Sequence, residues 1–150
     1  MSEGRSTAQR KSDVLTVLGK NQDLWLATAS PAGRPHLIAA SSWWDGSQVV
    51  IATIETSRTA QNLTATGLGR LALGSADDVI MIDTEVSDSV RTGEADAELG
   101  GGFSAAVGWN PSEEGTNWRF FRLLPIRIQA YRGYGELPGR EVMHGGQWLA

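Results

Sequence analysis

Short apolar runs separated by compact turns dominate residues 23–63, and a polar, helix-like segment closes this stretch. Leu24–Ala29 is an apolar run with little alternation, which indicates a strand buried on both faces. A second strand is predicted for residues 36–44, and a third, rich in β-branched side chains, for residues 48–54. A turn with two prolines and a glycine precedes the second strand, and Asp45-Gly46 suits a two-residue hairpin after it. The pattern therefore predicts three consecutive strands joined by tight turns.

Beyond this stretch the pattern predicts a mostly β chain with few helices. Ser12 is expected to cap a short first helix that ends at Gly19, and the polar residues 1 to about 11 are expected to be flexible. The three glycines at residues 100–102 indicate a hinge before a short helix at residues 103–108. Further strands are predicted at residues 70–75, 79–86, 91–97 and, as a strand pair, 117–131. We expect a single domain over residues 1–150.

The polar segment after the third strand carries the first functional signal. Thr56 or Ser57 is a good N-cap for a helix that runs to about Thr66, with Gly67 as its stop. Such a helix start offers free backbone N–H groups and the positive end of the helix dipole, and Arg58 adds a planar donor that suits phosphate oxygens. A phosphate would fit there. The alternative, commoner among proteins, is that these residues only cap a helix and that Arg58 is a solvated surface charge.

Several short motifs follow one another along the chain. They are the Gly-Arg-Pro turn at residues 33–35, the Asp-Gly hairpin, Ser-Arg-x-x-x-Asn-Leu at residues 57–63, and later segments at residues 69–73, 90–95 and 120–131. Their order and spacing, over about residues 12–148, resemble the pyridoxamine 5′-phosphate oxidase-like superfamily, whose members are flavin-binding split β-barrels. The resemblance implies a six- to eight-stranded split β-barrel of the FMN-binding type with short flanking helices. It also implies a homodimer with cofactor sites at the subunit boundary, and FMN or the deazaflavin coenzyme F420 as cofactor.

The same resemblance implies the residues of the cofactor site. The phosphate would lie on residues 56–59, with Asn62 steadying the helix or the phosphate, and the ring would lie near Ser41 and Thr53 on the second and third strands. The tail residues Arg140 and Trp148 would lie near the cofactor or the neighbouring subunit. The candidate cofactor-binding residues are therefore Ser41, Thr53, Thr56, Ser57, Arg58, Thr59, Asn62, Trp118 and Arg140. No catalytic or metal-ligating residue is predicted, because a flavin supplies its own hydride chemistry.

Two departures from the family pattern bear on the substrate. Thr59 stands where pyridoxamine phosphate oxidases carry a lysine in the phosphate helix, and residues 140–142 lack the histidine of their C-terminal Arg-x-His. Oxidation of vitamin B6 is therefore not expected. An oxidoreductase that transfers hydride between its cofactor and a small organic substrate fits better. A cofactor carrier or sensor without turnover, and an empty barrel kept as an interaction module, are the alternatives.

Composition and charge limit the classes of partner and the cellular compartment that we expect for this protein. The net charge is −4 and the arginines are scattered along the chain, which argues against a nucleic-acid-binding protein. The absence of cysteine excludes disulfides, thiolate catalysis and cysteine metal sites. No apolar run approaches membrane-spanning length, and the polar N-terminus has no signal region, so we expect a cytoplasmic protein without membrane contact.

Two further features carry open interpretations. His36 follows the first turn and could face a ligand, although a lone histidine is more often structural. Trp43 and Trp44 are adjacent in a predicted strand, so one indole should point inward and the other outward. An outward indole often marks an interface, and core packing is an equal alternative.

Overall fold

The computed structural model describes residues 4–150 as one antiparallel sheet flanked by three helices. The helices are α1 (Thr7–Leu18), α2 (Arg58–Thr66) and α3 (Ala97–Val107). The strands are β1 (Leu24–Ala29), β2 (Pro35–Ala40), β3 (Trp43–Trp44), β4 (Val49–Ile54), β5 (Leu68–Ser75), β6 (Asp78–Arg91), β7 (Trp118–Tyr131), β8 (Glu141–His144) and β9 (Gln147–Trp148).

The sheet has the order β2-β1-β5-β6-β7-β4-β3, and β8 pairs with β7 and carries β9 on its other edge. The 14-residue strands β6 and β7 form its centre, and bulges in their pairing let the sheet curl into a half-barrel. The predicted mostly β fold with short helices is confirmed. Nine strands are present in the described chain, and two of them have only two residues each.

Two apolar clusters lie on opposite faces of β4 and β7. The β4–β7 register pairs Ile51 with Phe121 and Ala52 with Phe120, so successive side chains alternate between the faces. Phe121 belongs to the larger core inside the curl, which α1 and α2 close. Phe120 belongs to a smaller cluster with Val50, Leu99 and Phe103, which α3 covers. The two helical layers therefore sit on different sides of the same strands.

The first helix begins earlier than the sequence predicted. Its N-cap is Ser6, whose hydroxyl accepts a hydrogen bond from the Gln9 N–H at 3.1 Å, so the assignment of Ser12 as the cap is wrong. Arg10 explains the extension, because its buried guanidinium donates to the carbonyls of Ala130 and Glu136 at 2.8 and 2.9 Å. Residues 7–11, expected to be flexible, therefore lie in a helix. For residues 1–3 that expectation lies outside the described part of the chain.

The region after β6 differs most from expectation. The predicted strand at residues 91–97 is absent, because β6 ends at Arg91 and α3 begins at Ala97 with Asp96 as its N-cap. The predicted hinge at residues 100–102 lies inside α3, and the helix predicted at residues 103–108 is only its second half. Gly102 lies against the indole of Trp43, where any side chain would collide. Tertiary packing here outweighs the low helix propensity of glycine.

Two other strand predictions are corrected. Residues 117–131 form one long strand rather than a pair, because β7 reaches past β4 to pair with β8 as well. The predicted strand at residues 36–44 is interrupted, and Ser42 instead donates to the Gln22 carbonyl at 2.8 Å. Trp43 and Trp44 do face opposite sides, but each packs against one of the two apolar clusters. Neither indole is therefore fully outward.

Candidate functional site

The start of α2 has the geometry that the sequence predicted, with Ser57 rather than Thr56 as the cap. The Ser57 hydroxyl accepts from the Ala60 N–H at 3.1 Å and shares a 3.0 Å hydrogen bond with the Thr53 hydroxyl. Gly67 ends the helix at φ 70°, a left-handed conformation that glycine adopts without strain. The first-turn N–H groups of Arg58 and Thr59 have no partner within the helix, and they point out of its N-terminus.

A cavity of about 380 Å³ lies at this helix start, and its walls are positively charged. Arg58 lines it from α2, whereas Arg34, Pro35 and His36 line it from the β1–β2 turn and β2. Neither arginine forms an ion pair with any described residue. Arg34 was quoted in the sequence only as part of a turn motif, and nothing in the local pattern links it to α2. The cavity can hold an anion between two guanidinium groups and the open helix start.

Two of the predicted residues, Asn62 and Thr59, have buried side chains in the helix that begins at this cavity. Asn62 is buried and donates from Nδ2 to the Thr28 hydroxyl at 3.1 Å, and Thr28 pairs directly with His36 in the β1–β2 register. The Thr59 side chain is buried at 1% exposure, so only its backbone N–H faces the helix start. Asn62 therefore holds α2 against β1, which is the strand that positions β2.

Ser41 and Trp118 lie on the other side of the sheet from Thr53. The register pairs Trp118 with Ile54 and Thr53 with Arg119, and adjacent pairs face opposite sides. Trp118 packs edge-on against Trp109 at 5.3 Å between ring centroids. Trp109 in turn donates from Nε1 to the Ser41 hydroxyl at 3.4 Å. These two candidate residues thus form an aromatic group with Trp109, which the sequence analysis did not select.

Arg140 lies apart from the other candidates within this chain. Its carbonyl accepts from the Ala130 N–H at 2.8 Å, near the end of β7, whereas Trp118 begins that strand. Its guanidinium donates to Gln129 Oε1 at 3.1 Å and to the Leu137 carbonyl at 2.9 Å. It lines a separate cavity of about 250 Å³ with Glu141 and Arg127. A hydrogen bond from Arg127 lowers the pKa of the Glu141 carboxyl.

No group of three or more histidine, aspartate or glutamate side chains in residues 4–150 is placed to hold a metal ion. No helix in that range has the length and apolar character needed to cross a membrane.

Comparisons with known proteins identify the fold. No family model matches the chain, and no curated protein matches it. Among solved structures, an F420 reductase is similar at 16% identity and a TM-score of 0.62, over 75% of this chain and 93% of its own. A pyridoxamine 5′-phosphate oxidase-related, FMN-binding protein from Nostoc punctiforme is similar at 16% identity and a TM-score of 0.56, over 81% and 84%. The heme storage protein HutZ from Vibrio cholerae is similar at 14% identity and a TM-score of 0.62, over 92% and 99%.

At these identities the likeness concerns the fold. The resemblance seen in the sequence motifs is confirmed at that level, because the similar structures share one architecture. The chain has the split β-barrel fold of the pyridoxamine 5′-phosphate oxidase-like proteins.

Proposed function

We propose that this chain is an oxidoreductase that binds FMN or the deazaflavin coenzyme F420 and acts on a small organic molecule. The observation that carries the proposal is the basic cavity at the start of α2, which Arg34 and Arg58 line without a carboxylate. Proteins with this fold include an F420 reductase and an FMN-binding protein, which supports a flavin-type ligand. Both cofactors carry a phosphate group that such a cavity suits.

The residues of the chain bind and orient the cofactor. The open N–H groups of Arg58 and Thr59 and the Arg58 guanidinium hold the phosphate, while Ser57 keeps the helix start in place. Asn62 anchors the helix through Thr28. The ring would lie against β2 and β4 on the face that carries Thr53, whereas Ser41, which follows β2, lies on the other side of the sheet. When bound, the cofactor supplies hydride transfer, and the chain contributes position and exclusion of water.

A homodimer is part of the proposal, and the outward face of the sheet supports it. Trp25, Leu37 and Leu68 are 54%, 61% and 56% exposed on three neighbouring strands, β1, β2 and β5. Trp25 pairs with Ala72 of β5, and Ala72 pairs with Met81. Met81 in turn pairs with Gln129, so Met81 and Gln129 lie on the same face of the sheet as Trp25. A second copy that covers this face would remove the exposed apolar area from water.

The same dimer would give Arg140 a role in the cofactor site. The Arg140 guanidinium donates a hydrogen bond to Gln129, and Gln129 lies on the face of the sheet that carries the exposed apolar side chains. Within one subunit Arg140 lies away from the cavity at α2. In a dimer that forms through that face, Arg140 would reach toward the neighbouring subunit. The sequence resemblance implies that Arg140 lies near the cofactor or that subunit.

A non-catalytic carrier or sensor is the second candidate. The observation that favours it is the likeness to a heme storage protein, which shows that this fold also serves ligand storage. Reduction of the bound cofactor by NAD(P)H, or hydride transfer to an enone or quinone, would support the enzyme. Tight binding without turnover would support the carrier.

Absorbance and fluorescence spectra before and after addition of each cofactor test the proposal. A two-band yellow spectrum indicates FMN, and a single violet band with blue fluorescence indicates the deazaflavin. Arg58→Ala should weaken binding roughly 10-fold or more, because a charge-assisted hydrogen bond contributes about 1.5–3 kcal/mol. The melting temperature should stay unchanged, because Arg58 is exposed and unpaired among the described residues. Lys20→Ala, which removes a distant exposed charge, is the control, and equal affinities of the two variants would refute the phosphate assignment.

A further inference from the structure

Most arginine side chains in residues 4–150 have a hydrogen-bond or ion-pair partner, and the exceptions lie at the α2 cavity. Nine of the eleven have a side-chain hydrogen bond or ion pair within residues 4–150. They are Arg5, Arg10, Arg70, Arg91, Arg119, Arg122, Arg127, Arg132 and Arg140. The other two, Arg34 and Arg58, have no such partner in that range, and both line the same cavity. In a chain of net charge −4, two guanidinium groups that line one cavity without a partner in residues 4–150 indicate a site for an external anion.

The position of Arg34 is held by the backbone of its turn. The Ser30 N–H donates to the Arg34 carbonyl at 3.0 Å, and the Arg34 N–H donates to the Ser30 hydroxyl at 3.0 Å. Gly33 closes the turn at φ 86° and donates to the Ser30 carbonyl at 2.8 Å. Arg34 therefore leaves a closed turn directly beside the cavity.

The two walls of the cavity are also tied together. His36 pairs with Thr28 in the β1–β2 register, and Thr28 accepts a hydrogen bond from Asn62 of α2. The side of the cavity that carries His36 is thus linked through β1 to the helix that carries Arg58. Thr59, the next helix residue, carries no charge, so the second positive charge at the cavity comes from Arg34 of the turn.

We infer that Arg34, together with Arg58, makes this cavity selective for a phosphate monoester over a phosphate diester. The inference rests on the proposed function and assigns the chemical form of the phosphate it binds. The two permanent positive charges of Arg34 and Arg58 match the charge of about −1.5 to −2 of a monoester at neutral pH. A diester carries only one negative charge. FMN ends in a monoester, whereas the deazaflavin coenzyme carries its phosphate as a diester, so the cavity favours FMN.

Methyl phosphate and dimethyl phosphate test the selectivity without any cofactor. Each ester is titrated into ¹⁵N-labelled protein at constant ionic strength and pH 7, and the amide shifts of Arg58 and Thr59 are followed. We expect methyl phosphate to bind at least about tenfold more tightly than dimethyl phosphate. In Arg34→Gln most of that preference should disappear. The control Lys20→Gln removes an equal charge beyond the opposite end of β1 and should retain it.

The outcomes separate this inference from the proposed function. Equal affinity for the two esters, no detectable binding of either, or equal binding by Arg34→Gln and Lys20→Gln would overturn the inference. If FMN binds but Arg34→Gln leaves its affinity unchanged, the inference fails and the proposed function survives. If the esters are distinguished but no cofactor binds, the inference survives and the proposed function fails.

Discussion

Gly102 of α3 lies against the indole of Trp43, and a Cβ added at Gly102 would stand 2.6 Å from Cζ2 of that ring. The neighbouring Gly101 points to open space, with no atom within 4 Å of its added Cβ. Gly101→Ala and Gly102→Ala therefore make the same chemical change in the same helix with opposite steric consequences. We expect Gly101→Ala to stabilise the protein and Gly102→Ala to destabilise it relative to Gly101→Ala.

The magnitude follows from two terms. Replacement of glycine by alanine inside a helix contributes about 0.5–1 kcal/mol of stability in both variants. Only Gly102→Ala carries an overpacking cost of about 1–3 kcal/mol, because the Trp43 ring belongs to the apolar cluster under α3. The two variants should therefore differ by about 1–3 kcal/mol. For a chain of this size that corresponds to roughly 2–12 °C in melting temperature.

Thermal and urea unfolding, followed by tryptophan fluorescence and far-UV circular dichroism, measure the difference. The same pair of substitutions in a Trp43→Ala background supplies the control, because the steric term requires the indole. In that background the gap should close to within about 0.5 kcal/mol. Equal stabilities of the two variants with Trp43 present, or a gap that persists without Trp43, would refute the packing argument.

Three further predictions concern other parts of the molecule. Arg5 holds the pKa of Glu136 down to about 2, from the ordinary value of 4.5, through side-chain hydrogen bonds. This stabilisation, on the order of 3 kcal/mol, is complete above about pH 4.5 and is lost as the pH falls through about 2. Glu136→Gln should thus lower the urea midpoint strongly at pH 7 and little at pH 2, and an equal loss at both would contradict the ion pair. Asn62→Ala removes the buried hydrogen bond to Thr28 and should cost about 1–3 kcal/mol in urea unfolding, whereas adding Thr28→Val should cost less than the two single changes together. Leu37→Asp on the outward face should give a monomer by sedimentation velocity, and a monomeric unaltered protein would refute the dimer.

Short-range signals in the sequence predicted much of the sheet and the start of α2. Leu24–Ala29 forms β1 at the predicted bounds, and the predicted third strand contains β4. Ser57 caps α2 and Gly67 ends it, as the sequence indicated. These features depend on residues within a few positions of one another, so side-chain pattern and backbone propensity are sufficient to predict them.

Contacts distant in sequence decided the elements that were predicted wrongly. The start of α1 depends on Arg10, whose partners lie about 120 residues later in the chain. The helical state of Gly102 depends on Trp43, nearly 60 residues earlier. Local propensity opposes a helix at three consecutive glycines, and only the packing of α3 over an apolar cluster reverses that preference.

The residues of the candidate site also divide into those that the sequence identified and those that only the tertiary structure placed. The sequence alone identified Arg58 and the capped helix, because the motif is contiguous. Only the tertiary structure brought Arg34 to the same cavity, placed Ser41 and Trp118 on the other side of the sheet, and left Arg140 apart. The physical reason is that strand pairing decides which side chains meet, and the β1–β2 register and the Asn62–Thr28 hydrogen bond join segments that share no local pattern.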